Sequence, residues 1–439
     1  MLKRAIRVAC CVACVLMVGG ARLSVAQTSP GVRIPIGDHE TVVFYGDSIS
    51  HMNDYTALVE TFLYTRFPQK SFTCWNFGVS GDTASGGCFR FDRDVLGTKP
   101  TLMFVNFGMN DGKYVAFDQA IFDSYVKNQT ELARKIKGCN AREILLTTSP
   151  IDPDTHKSKG VYNETLERFA DGMRKLAEEL RIPSIDIFHP MLAVQKKLKE
   201  QNPSYSWAGD GVHPKTAGHL VMAAMIIDRL EAPRGIGRLD INGTDVKASG
   251  VTVANVQAKD GLTEFDVTLP FLPFYIPGKT RETLDLLPNL RPLNEFTLKV
   301  SGLDSKQSYA LMSGGKASSM TFTGAELAEG VDVSLAPGTP WAEQTQIVWD
   351  LAKERFKCCS EIWHSLWGGE KPVKFTPFVG RMSDESRAKL TDFAEKIATA
   401  ARHTTFHVAL AKAGASGQQS VKPKARPPVH DGPPSHAPL

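Results

Sequence analysis

Val42-Val43-Phe44-Tyr45-Gly46-Asp47-Ser48-Ile49-Ser50 decides how the rest of this 439-residue chain is read. Four apolar residues bounded by a glycine spell a short buried strand, and the Gly-Asp-Ser after them predicts a sharp turn that leaves Ser48 exposed at the strand's end. In open parallel sheets ligands bind beyond the carboxyl ends of the strands, so a hydroxyl placed there sits where such folds do chemistry. Standing alone, the tripeptide is more often an ordinary serine turn, and only partners elsewhere in the chain can raise it.

Working outward, apolar residues recur at helical spacing from about Asp54 to Phe67, and Ser71 to Phe77 supplies a second strand. A Gly-rich loop over 78–87 follows. It lacks both the Gly-Lys-Ser/Thr ending of a P-loop and the spacing of a dinucleotide fingerprint, and its small residues let backbone N–H groups approach a reacting oxygen. Ser80 in that loop is a rival nucleophile, but it does not stand in a Gly-x-Ser-x-Gly elbow.

A short helix over Arg90 to Leu96, a strand over Leu102 to Phe107 and a long amphipathic helix over Phe117 to Lys137 come next. Ile144 to Thr148 reads as a strand, Tyr162 to Leu180 as a helix, and Ile182 to Ile187 as a fifth strand. Strands alternating with helices predict an α/β fold: a flavodoxin-like three-layer sandwich around a parallel five-stranded sheet. In strand order 2-1-3-4-5 the first and third strands are neighbours where the winding reverses, so Ser48 and Asn110, which follow them, are predicted to share one crevice.

After a helical segment over Met191 to Glu200, Asp210-Gly211-Val212-His213 enters a helix whose first turn suits Pro214. Ser48, Gly78, Asn110 and His213, with Asp210 three residues before the histidine, resemble in content and order the SGNH or GDSL hydrolase family across roughly residues 40 to 230. The resemblance implies a serine esterase in which Ser48 is the nucleophile, His213 the base and Asp210 its orienting partner. It also implies an oxyanion hole made by the N–H groups of Ser48 and Gly78 and the side-chain amide of Asn110. Asp47 is expected to hold the Ser48 turn by local hydrogen bonds.

Lys3, Arg4 and Arg7, an apolar run over Val8 to Gly20 and the small residues Ser24-Val25-Ala26 read as a secretory signal cleaved after Ala26, so the protein is expected to be exported, periplasmic or secreted. The run is shorter than the roughly 20 residues of a membrane span. Lys3, Arg4, Arg7 and Arg22 leave with it, so the remainder of the chain, with 47 acidic residues, is formally neutral. Nothing in that balance suggests nucleic acid, an anionic membrane surface or stable membrane insertion, and no feature specifies an oligomeric state. Five cysteines remain, of which Cys74 and Cys88 are the first pair to test for a disulfide; ordinary buried thiols are at least as good a reading.

The rest divides into a lead-in over 27–40, a hydrolase domain over 41–232, a β-rich extension over 233–335 whose short runs read as antiparallel strands, a helical segment over 336–412 and a tail over 413–439 whose composition supports no core. Phe271 to Pro277, apolar and broken by proline, is expected to pack against something rather than to form a strand. Within the extension, Leu298-Lys299-Val300-Ser301-Gly302-Leu303 followed by Ser308-Tyr309-Ala310-Leu311 resembles part of the β-rich appendage of exported bacterial GDSL-like proteins. Asp152, Asp154 and His156 could hint at a metal site, but loop carboxylates beside Pro153 read as solvated, and no His-Glu-x-x-His occurs. His51, His189 and His219 read as core or surface residues. No metal or organic cofactor is needed by this chemistry. A small-molecule or carbohydrate ester is the expected substrate, with a carbohydrate O-acetyl ester preferred. The alternatives are lipase or arylesterase action, acyl transfer at the same site, and a non-catalytic surface or polysaccharide binder.

Overall fold

The computed structural model describes residues 33–259, 261–367 and 378–414. The expected signal segment and all but the first two residues of the expected tail lie outside them. Strands β1 (Glu40–Gly46), β2 (Phe72–Gly78), β3 (Leu102–Asn106), β4 (Arg142–Leu146) and β5 (Ser184–Ile185) form an all-parallel sheet in the order β2-β1-β3-β4-β5. Side chains alternate across it as the pleat requires. Val42, Phe44, Leu102 and Phe104 enter one core layer, and Val43, Tyr45, Met103 and Val105 the other.

Helix α1 (Ser48–His51) is a single turn after β1. Helices α2 (Asp54–Arg66), α3 (Ala84–Asp94), α4 (Gln119–Gly138) and α5 (Val161–Leu180) make the crossovers, and α6 (Phe188–Gln201) and α7 (Thr216–Arg229) follow β5. Tyr55, Leu58 and Phe62 of α2 and Leu220, Val221 and Ala224 of α7 pack in the first layer, while Phe91, Leu132, Ile136, Phe169 and Met173 of α3, α4 and α5 pack in the second. Helix α3 starts six residues earlier than Arg90, inside the stretch read as a loop. Thr83 caps it by accepting the Gly86 N–H, and Gly87 lies where a Cβ would meet the rings of Phe107 and Tyr45.

The extension adds β6 (Gly237–Asn242), β7 (Asp245–Ser249), β8 (Thr252–Lys259), β9 (Leu262–Thr268), the short helices α8 (Arg281–Leu284) and α9 (Arg291–Asn294), β10 (Phe296–Ser301), β11 (Ser308–Ser313), β12 (Lys316–Thr323), α10 (Gly324–Glu329) and β13 (Val331–Asp332). Helices α11 (Pro340–Trp367), α12 (Phe378–Arg381) and α13 (Asp384–Arg402) follow, and β14 (Thr405–Lys412) ends the described chain. The strands make two sheets, β13-β10-β6-β7 and β12-β11-β14-β9-β8. Two readings are corrected. The β6–β10 pair is parallel, in an extension read as antiparallel. The segment 336–412 is not helical to its end, because Phe406, Val408 and Leu410 alternate with more exposed residues and pair β14 between β9 and β11.

Helix α11 is built into the half that holds the parallel sheet. Val348, Ala352 and Phe356 recur on one buried face. Arg355 on that helix forms a bidentate pair with Glu60 of α2, at 2.9 and 3.0 Å, and donates to the Cys74 carbonyl on the edge strand β2 at 2.6 Å. The buried guanidinium Arg66 likewise reaches into the extension, donating to the carbonyls of Pro233 and Leu293 and to Asn294 Oδ1, with the Phe271 ring 4.2 Å away. Phe271, Leu272, Phe274 and Ile276 are buried, as the packing expectation required. Cys74, Cys88, Cys139, Cys358 and Cys359 are free thiols. Cys74 sits in the first core layer and Cys88 against the second, so the sheet separates them, and a disulfide between them would need Cβ atoms only about 4 Å apart. Among the described residues no helix is long and apolar enough to cross a membrane.

Two stability predictions follow from the buried charges. Arg355→Met leaves the fully buried Glu60 carboxylate without its partner, so urea denaturation should show a loss of about 3–5 kcal/mol, and adding Glu60→Leu should restore much of it. Glu143, on β4, is pushed up to about 8 by burial alone. Because that lies above its ordinary 4.5, its contribution to stability is complete below about pH 4.5 and is lost as pH rises through 8. Thermal melts should therefore show Glu143→Gln gaining on the parent protein between pH 5 and pH 8; parallel curves would contradict this.

Candidate active site

The carboxyl ends of three strands are aligned by register, with Gly46 opposite Gly78 on one side and Asn106 on the other. The backbones are so close that a Cβ at Gly46 would lie 2.4 Å from the Asn106 carbonyl oxygen, and one at Gly78 would lie 2.3 Å from the His51 nitrogen. Asp47 then turns the chain, its Oδ1 accepting the Ile49 N–H at 2.9 Å, which is the local role expected of it. Ser48 is the first residue of α1, where a backbone N–H has no partner within the helix.

Opposite stands the loop before α7, which begins at Thr216 with Pro214 just outside it. His213 Nε2 lies 2.7 Å from Ser48 Oγ, and His213 Nδ1 lies 2.5 Å from Asp210 Oδ2. Asp210 Oδ1 accepts the N–H groups of Val212 and His213 at 3.0 and 2.9 Å. A carboxylate can only accept, so Nδ1 carries the proton and Nε2 is left to accept from the Ser48 hydroxyl. Partial burial raises the Asp210 carboxyl, but the His213 hydrogen bonds outweigh it and hold the group down at about 2.

Asn110 half-buries its amide between two partners. Its Nδ2 donates to the Asp82 carbonyl at 2.9 Å, and its Oδ1 accepts from the Tyr114 hydroxyl at 2.9 Å. That leaves the second Nδ2 proton free among the described residues. The Gly78 N–H donates to Asn76 Oδ1 at 2.9 Å, and its lack of a side chain serves the close approach to α1. The turn closed by Asp82 N–H and Val79 O at 3.2 Å is better placed, since the Asp82 carbonyl bonds Asn110 directly. Gly81, in the middle of that turn, is exposed, and no acceptor among the described residues takes its N–H. Its signal was the Gly-rich loop itself.

Sequence reasoning also missed what holds the His213 loop. Asp152, read as solvated, is fully buried. Its N–H donates to the Gly211 carbonyl at 2.7 Å, Thr155 Oγ1 donates to the Ala208 carbonyl at 2.8 Å, and Lys199 donates to Asp152 at 2.6 Å and also to Asp154. His156 Nδ1 lies 2.8 Å from Ser158 Oγ. His51 Nδ1 meets the Gly78 carbonyl at 3.0 Å, with the ring of His364 on α11 at 5.6 Å, and His189 pairs with Asp186 at 2.7 Å. His219 is buried against Tyr55 at 6.1 Å, and burial pushes it down to about 4. Ser80 is exposed. A cavity of about 290 Å³ opens beside Asn110, with Thr83, Ser85, Lys113, Ser124 and Asn128 on its walls.

Residues 44–221 match the GDSL-like lipase/acylhydrolase family. An acetylxylan esterase of Geobacillus stearothermophilus is 25% identical over 209 residues, spanning 43% of this chain and 92% of that protein. A solved gut microbial diltiazem-metabolizing enzyme superposes with a TM-score of 0.72 over 88% of this chain and 100% of its own, at 23% identity, so its likeness is one of fold that runs through the extension. With the parallel sheet and the ordered Ser48, Asn110 and His213 loops at its carboxyl edge, residues 44–221 of this chain are an SGNH/GDSL hydrolase domain.

Proposed function

We propose that the protein is a serine ester hydrolase working through an acyl-enzyme intermediate, and that its substrates are carbohydrate O-acetyl esters. The observation that carries the chemistry is the chain Asp210–His213–Ser48, with contacts of 2.5 and 2.7 Å in the tautomer that activates the hydroxyl. A serine hydroxyl is a weak nucleophile until a base takes its proton. His213 Nε2 removes it as Ser48 Oγ bonds to the ester carbonyl carbon, and Asp210 stabilises the imidazolium that forms. The imidazolium then protonates the departing alkoxide as the C–O bond breaks. Water, deprotonated by the same nitrogen, attacks the acyl carbon, and the imidazolium returns the proton to Ser48 Oγ as the acyl–Oγ bond breaks and the acid leaves.

Negative charge on the carbonyl oxygen is met by the Ser48 N–H, the free Nδ2 proton of Asn110 and the N–H of Gly81, which takes the part expected of Gly78. The hydroxyl, amide and ammonium groups around the cavity beside Asn110 support a hydroxylated alcohol portion, and the acetylxylan esterase relative supports an acetyl group on a sugar. The amino-terminal basic and apolar segment supports action outside the cytoplasm.

Hydrolysis of p-nitrophenyl acetate, butyrate and octanoate, beside acetate release from acetylated oligosaccharides, tests this reading. Ser48→Ala should lower kcat by at least about 10³-fold with folding unchanged. Among the aryl esters acetate should be turned over fastest, and acetylated sugars should give a higher kcat/KM than the aryl acetate. Octanoate faster than acetate would overturn the substrate, and equal rates in parent and variant would overturn the nucleophile.

A further inference from the structure

Among the described residues the only group bonded to the oxygen of the Asn110 amide is the Tyr114 hydroxyl, and the backbone at Tyr114 is in an uncommon conformation. Lys113 and Tyr114 have φ of +55° and +59°, consecutive non-glycine residues in the left-handed region, where each costs of order 1–3 kcal/mol. Such strain persists only where surrounding contacts impose it. The Tyr114 ring packs 4.9 Å from Tyr162 and 5.6 Å from His156, and Tyr162 in turn donates its hydroxyl to the Met109 carbonyl at 2.5 Å.

An asparagine amide can lie either way round, and only one way presents N–H to a developing oxyanion. The Asp82 carbonyl can only accept, so Nδ2 must face it and Oδ1 must face Tyr114, whose hydroxyl is therefore the donor. Two bonds on opposite ends of one planar group fix both its rotation and its orientation. Donation into the amide oxygen also polarises the remaining N–H, strengthening it as a donor. Burial, with the charges of Asp47 and Asp210, pushes the Tyr114 hydroxyl up to about 12, so the proton it needs is retained through the working range of an esterase.

We propose that Tyr114 is a positioning residue for ester hydrolysis, acting on the transition state solely by holding the Asn110 amide with its free N–H toward the oxyanion. This rests on the serine esterase reading above. The hydroxyl of Tyr114 is not assigned contact with the reacting atoms.

The test is a double-mutant cycle on p-nitrophenyl acetate with Tyr114→Phe, Asn110→Ala and the pair, each checked for an unchanged melting temperature, with Ser48→Ala as the reference for chemistry at this site. Phenylalanine keeps the ring packing and removes only the donor. Tyr114→Phe should lower kcat by about 10-fold or more with KM unchanged, less than the roughly 10²–10³ expected of Asn110→Ala. In the Asn110→Ala background the same change should have no further effect, because nothing remains to be positioned. A kcat for Tyr114→Phe equal to that of the parent overturns the proposal alone, as does a loss that multiplies unchanged onto Asn110→Ala. Parent activity that does not depend on Ser48 overturns the esterase reading, and the role of Tyr114 with it.

Discussion

No side chain fits at residue 46. A Cβ there would press on the carbonyl of Asn106, and that contact is the measure of how tightly β1 and β3 converge at the carboxyl end of the sheet. Because the strands are parallel and in register, the residues just beyond Gly46, Gly78 and Asn106 emerge side by side, and the sheet places them without loop-by-loop adjustment. Ser48 and Asn110, 62 positions apart in the chain, follow the ends of adjacent strands for this reason. The remaining member, His213, comes from a loop, and its position is fixed by the bonds from Asp152 and Thr155 to the carbonyls of Gly211 and Ala208.

The same sheet needs its edge covered. β2 is an outer strand, and the open carbonyl of Cys74 would invite pairing with another chain. Arg355 closes it from α11 while pairing with Glu60, so one side chain of the extension satisfies both an edge carbonyl and a buried carboxylate. Arg66 makes the reciprocal reach from α2 into the extension. The extension is thus continuous with the hydrolase part in packing, and α11 carries His364 to the ring of His51, three residues beyond Ser48.

Much of this was legible in order of chain. Short continuous apolar runs mark β1 and β3, helical spacing marks α2, α4 and α5, and a Gly-Asp-Ser turn marks Ser48, because those signals are local. What was not legible depends on contacts between distant segments. Gly78 and Gly81 look alike as glycines after a strand; the acceptor Asn76 Oδ1 separates them, and only the fold shows that it is within reach. Asp152 reads as a loop carboxylate until Lys199, 47 residues on, is found beside it. β14 follows a long helical stretch, and its alternation over eight residues gains meaning only from the strands β9 and β11 that flank it. Tyr114 carries no sequence signal at all, since its positive φ and its bond to Asn110 belong to the folded loop.

Covalent trapping reads out whether Ser48 is a nucleophile activated by His213. The protein is incubated with a fluorophosphonate, digested, and mapped by mass spectrometry. A single phosphonyl group should form on Ser48 in the parent protein and be lost in His213→Ala. Label on Ser80 or any other residue, or undiminished labelling of Ser48 without His213, would contradict it.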